Sequence, residues 1–128
     1  MRIPSRLAWG VLLFCVGCGP QAIYDKEVSL ALGDIQPIVF GPFDKEQSVT
    51  VTVSSPGAPI SVYVFESEQL EFVDYAVSFG KPPQNVLAGE ASTEGTTLTA
   101  VVPADKEAIV RLQPTGQQPA KVQLKITE

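Results

Sequence analysis

The chain contains no histidine, and its two cysteines both fall within the first eighteen residues. Without histidine there is no Ser-His-Asp or Cys-His nucleophile system and no histidine-ligated zinc, copper or haem. Residues 19–128 hold no thiol, so that stretch has no disulfide, no cysteine-ligated metal and no thiol nucleophile. A phosphate loop is missing as well: Gly80-Lys81-Pro82 lacks both the upstream glycine and the Ser/Thr after the lysine. In the run Gly89-Glu90-Ala91-Ser92-Thr93-Glu94-Gly95 the glycines stand three residues from the serine, not the two of a nucleophile elbow. No cofactor and no metal is expected, and the domain must hold together by packing alone.

Positive charge is also scarce. The chain has nine Lys+Arg against fourteen Asp+Glu. Two of the nine cations, Arg2 and Arg6, belong to the extreme N-terminus, and removing them leaves seven against fourteen, a net charge of −7. Such a surface repels phosphate backbones, so nucleic acid is not an expected partner. It gives little attraction to anionic headgroups either, so attachment to a membrane requires a covalent anchor.

What is present begins with an address. Arg2 and Arg6 precede the apolar stretch Leu7–Val16, which is about half the ~20 residues a spanning helix needs. Residues 1–17 therefore read as a signal peptide. The apolar stretch runs into Cys15-Val16-Gly17-Cys18, which resembles the lipobox of bacterial lipoproteins, although Cys15 stands where leucine is usual. The resemblance implies that Cys18 is acylated and becomes the first residue of the mature protein. Gly19 replaces the aspartate that retains enterobacterial lipoproteins in the inner membrane, which implies the outer membrane. Ordinary secretion, with cleavage after Gly17 or Gly19, is the plainer alternative. Residues 18–27 are polar and turn-prone and read as a lipidated tether, leaving 28–128 as the folded domain.

Within that domain a period of two dominates. Val49, Val51 and Val53 alternate with Ser48, Thr50, Thr52 and Ser54, and Ile60, Val62 and Val64 repeat the pattern after a Pro-Gly break. Leu98, Ala100 and Val102 form a third strand, Ala108, Val110 and Leu112 a fourth, and Val122, Leu124 and Ile126 the last. Val28–Leu32 and Ile35–Phe43 add one or two more, and Asn85–Ala91 a weaker one. Seven or eight short strands with turns between them predict an all-β antiparallel sandwich. Segment 66–83 carries both periods, but Glu68 and Glu71 near a first turn, Gly80 and Pro82-Pro83 favour one short helix near 68–79, with Ser67 as its N-cap.

Two groups of residues remain as candidate sites. Tyr63, Phe65, Glu66 and Glu68 form a weak ligand face, because Tyr63 and Phe65 lie opposite Ile60, Val62 and Val64 on their strand. The plainer reading is that segment 68–79, through Leu70, Phe72, Val73 and Val77, covers those two aromatics. Glu66, Glu68, Glu71 and Asp74 cluster in sequence as carboxylates for a hydrolase or for calcium, or simply as a solvated acidic face.

Three stretches are similar to the bacterial pre-peptidase C-terminal type of β-sandwich: Phe43–Val53, Ile60–Phe65 and Lys121–Ile126. Pro59 and Ser61 stand where that group often has acidic residues. The resemblance implies a jelly-roll-like architecture and an accessory or adhesive role, and no functional residue carries over. The expected function is a non-enzymatic cell-envelope lipoprotein, held to the membrane by its lipid anchor, whose sandwich binds a protein or glycan. The alternatives are a small carboxylate-dependent hydrolase, a calcium- or carbohydrate-binding accessory domain, and an envelope scaffold subunit.

Overall fold

Each alternating strand has one apolar side, which must be buried against another layer, and two sheets facing each other meet that need. The computed structural model describes residues 22–128. The signal peptide and Cys18 lie outside them. Eight strands follow in order: β1 (Ala22–Leu30), β2 (Gln36–Phe40), β3 (Gln47–Ser54), β4 (Ile60–Glu66), β5 (Ala88–Thr93), β6 (Gly95–Val102), β7 (Ala108–Pro114) and β8 (Ala120–Thr127). Between β4 and β5 a short 3₁₀ turn, Ser67–Gln69, leads into the helix α1 (Leu70–Ser78).

The sheets run β1-β8-β3-β6 and β2-β7-β4-β5, with every pairing antiparallel. Strand 1 thus lies beside 8, 2 beside 7, 3 beside 6 and 4 beside 5. That nesting is an eight-stranded jelly roll. Val51 faces Leu98 on one neighbour and Ile126 on the other, so the apolar sides of three strands line up. Val49, Val51, Ile60, Val62, Val64, Val110, Leu112, Val122 and Ile126 are fully buried in the core between the sheets.

The edges are polar or blunted. Outer strand β1 carries Asp25, Lys26 and Glu27, and edge strand β2 contains Pro37, which cannot donate to another strand. The polarity of β1 explains one correction to the sequence reading. Residues 22–27, expected in the tether, are the first part of β1, paired with Gln123–Thr127. An edge strand buries little of its N-terminal half, so its composition resembles that of a loop. Ile23 and Tyr24 nevertheless pack on the core.

The helix forms where expected, with different ends. Ser67 is part of the 3₁₀ turn and caps nothing; Gln69 precedes α1 without a side-chain capping bond. The C-terminus closes as a Schellman motif. Gly80, at φ 69°, donates to the Val77 carbonyl (3.0 Å), and Lys81 donates to Ala76 (2.9 Å). Glycine suits the left-handed position because it has no Cβ to clash. Asn85–Leu87, expected as strand, precede β5, which extends instead to Thr93.

Candidate functional site

β4 and β7 are the two central strands of their sheet, and both are buried on both sides. Their outward residues form three rows across the strands: Phe65 opposite Ile109, Tyr63 opposite Arg111, and Ser61 opposite Gln113. The rows grade from apolar through amphipathic to polar. α1 lies over the first two rows and stops short of the third.

Over the apolar row, Val73 is fully buried against Tyr63, Phe65 and Ile109, with Leu70, Val77 and Val86 packed around them. At the second row Arg111 is 1 % exposed although fully charged. Its Nε donates to Asp74 Oδ1 of the helix at 2.7 Å, and its Nη1 donates to Gln113 Oε1 at 2.8 Å. A buried cation is tolerated only when paired and hydrogen-bonded, so this contact ties α1 to the sheet.

Tyr63 fits beside Arg111 because its other cross-strand neighbour is Gly89. A Cβ at position 89 would overlap Tyr63 Cδ1, so only glycine leaves room for the ring to lie across β5. The tyrosine is 8 % exposed, and its hydroxyl has no hydrogen-bond partner among the described residues. Burial pushes that hydroxyl above the usual tyrosine range; the Arg111 cation opposes the shift and Glu90 adds to it.

Two clefts flank the end of α1 and share Lys81 and Pro82. The first, about 350 Å³, is bounded by Phe72, Tyr75 and Ala76 on the helix and by the Pro83–Asn85 loop. It adjoins an outward aromatic stripe of Phe72, Tyr75 and Phe79, in which the Tyr75 and Phe79 rings meet at a tilt of 42° with centroids 4.7 Å apart. The second, about 430 Å³, opens over the polar row at Ser61 and Gln113.

The residues expected as a ligand face are not brought together. Phe65 is fully buried and Tyr63 nearly so, because β4 is a central strand rather than a platform. Glu66 and Glu68 lie at the end of the sandwich, where Glu68 pairs with Lys106 at 3.3 Å. The cover over Tyr63 and Phe65 includes Leu70, Val73 and Val77 as expected, but Phe72 is 62 % exposed. At 100° per residue, position 72 falls off the face that 70, 73 and 77 share. Three of the four clustered carboxylates diverge: Glu68 points to Lys106, Asp74 to Arg111, and Glu71 to solvent. No three acidic side chains converge among the described residues.

Neither Arg111 nor Gln113 stands out in the sequence, where both alternate with the core residues Val110 and Leu112 of their strand. The signal was nevertheless present. A strand apolar on both sides needs a cover, and a neighbouring strand beneath the same cover buries its own alternate residues. No protein-family model matches the chain, and no curated protein is similar to it in sequence.

Proposed function

We propose that this chain is an exported envelope lipoprotein, anchored through Cys18, whose jelly roll is a non-enzymatic binding module. The observation that carries the reading is the placement of thiols: both cysteines sit in or at the end of the apolar leader, and the remainder has none. Acylation needs a thiol at the processing site and nowhere else. The first strand starts at Ala22, four residues after Cys18, and four extended residues reach at most about 14 Å. A domain so tethered works close to the lipid surface. Among the described residues no helix is long and apolar enough to cross a membrane.

A binding role draws its support from the helix-covered face. The clefts there are concave and mostly apolar, with a few polar side chains at one rim, the usual make-up of a recognition site. Protein or glycan partners both suit such a surface. The hydrolase alternative needs two carboxylates in one pocket, and the clustered acids are engaged elsewhere or diverge.

Metabolic labelling with an alkyne fatty acid tests the anchor. The wild-type chain should carry label, and Cys18→Ala should carry none. Equal labelling of the two would remove the lipoprotein reading.

A further inference from the structure

We propose that the cleft at the C-terminal end of α1 is a binding site for a small ligand that presents a carboxylate on an apolar body. The inference rests on the binding-module reading and names the ligand class for one of its clefts. The floor is the polar row that the helix leaves uncovered, Ser61 and Gln113, with Tyr63 beside it. Val77, Pro82, Ala91 and Pro114 supply apolar walls, and Lys81 stands at the rim. The volume, about 430 Å³, lies within the range of small-molecule sites.

Three polar groups at this cleft can donate to a ligand, while the Ser61 hydroxyl donates to the Gln113 carbonyl and the Thr115 hydroxyl pairs with Ser92. Gln113 gives its amide oxygen to Arg111 Nη1, which leaves its NH₂ group to face a ligand. The Tyr63 ring is buried while its hydroxyl reaches solvent beside the cleft, and that hydroxyl has no partner among the described residues. Lys81 forms no ion pair among the described residues. The negative end of the α1 dipole opposes an anion here, and the Ala76 and Val77 carbonyls that would face it are engaged by the Schellman bonds from Lys81 and Gly80. Arg111 places a second cation beneath the floor, partly offset by Asp74.

Charge distribution points the same way. The chain carries fourteen acidic residues, yet none lines this cleft, and its only charged lining residue is a lysine. Glu90 acts on Tyr63 from nearby without lining the space. A carboxylate would accept from Lys81, the Gln113 amide and the Tyr63 hydroxyl together, while its apolar portion lies against Val77 and the prolines.

The test is an ¹⁵N NMR titration of the full chain in a zwitterionic detergent with three probes. N-acetyl-leucine presents a peptide-like carboxylate, 4-methylpentanoate the same apolar body without the amide, and N-acetyl-leucinamide the neutral control. At least one carboxylate should shift the backbone signals of Lys81, Gln113 and Tyr63 and bind at least tenfold more tightly than the neutral amide. Preference for N-acetyl-leucine identifies a peptide C-terminus as the source, and equal binding identifies a simple organic acid. Lys81→Gln, an exposed-loop change that leaves the core intact, should weaken carboxylate binding at least fivefold and abolish the preference over the amide. Tyr63→Phe, which keeps the ring, should weaken it severalfold. Equal binding of the neutral amide, shifts elsewhere on the surface, or no response to either carboxylate would overturn the proposal. Fatty-acid labelling at Cys18 is indifferent to this cleft, so the two readings fail separately.

Discussion

Replacing Asp74 by asparagine asks whether the helix is pinned to the sheet by charge. The Nε–Oδ1 separation is 2.7 Å, and Arg111 is 1 % exposed while the Asp74 side chain is 45 % exposed. Two unit charges 4 Å apart attract by roughly 4 kcal/mol at an effective dielectric constant of 20. Water at Asp74 screens part of that, and asparagine still offers Nε an oxygen acceptor. A hydrogen bond to a charged group is worth a net ~1.5–3 kcal/mol, so we expect a loss of about 2 kcal/mol. For a domain of roughly a hundred residues that lowers Tm by about 8 °C. Urea unfolding followed by circular dichroism should show a lower midpoint at unchanged slope. Arg111→Met keeps the buried stem and removes the charge, and adding Asp74→Asn to it should cost little more. Strict additivity in that double-mutant cycle would refute the idea that the two side chains act as a pair. So would an Asp74→Asn variant as stable as wild type.

Three further outcomes follow from the same face. Val73→Ala removes two methyl groups from a fully buried site and should cost about 2 kcal/mol in urea melts, whereas Phe72→Ala, at an exposed position, should stay within about 0.5 kcal/mol. A larger loss at 72 than at 73 would invert the assignment of the helix faces. Tyr63 must ionise in the folded protein above the ~10 of an unfolded chain, so folding binds a proton more tightly there. Its contribution to stability is complete below pH ~10 and declines as pH rises through the raised folded value. Ultraviolet titration should accordingly show a late-ionising tyrosine component that Tyr63→Phe abolishes; an identical profile in the variant would contradict the burial argument.

Much of this architecture was legible because valine and threonine alternate cleanly where a strand has one wet side. β3 and β8 are such strands, and Gln47–Ser54 and Ala120–Thr127 coincide with their patterns. Legibility failed where a polar composition hid a strand's place in the sheet, or where a polar side chain lies under the helix. At β1 the N-terminal half is an edge and looks like a tether. At β7 the helix covers the outer face, so Ile109 and Arg111 are buried although Arg111 reads as a solvent-facing residue. The site was hidden for the same reason. A lone arginine in a strand acquires meaning only when the fold brings Asp74, thirty-seven positions away, onto it. The covering segment could be inferred from the doubly apolar β4, but which of its acids meets the buried cation depends on the helical phase that also turns Phe72 outward.

The proposal that most depends on a single residue is attachment through Cys18. Intact-mass analysis of the mature chain recovered from detergent-solubilised envelopes measures it directly. The account predicts a polypeptide beginning at Cys18 whose mass exceeds that of residues 18–128 by a diacylglyceryl group, with or without a further acyl chain. A polypeptide of unmodified mass, starting at another residue and recovered without detergent, would contradict it.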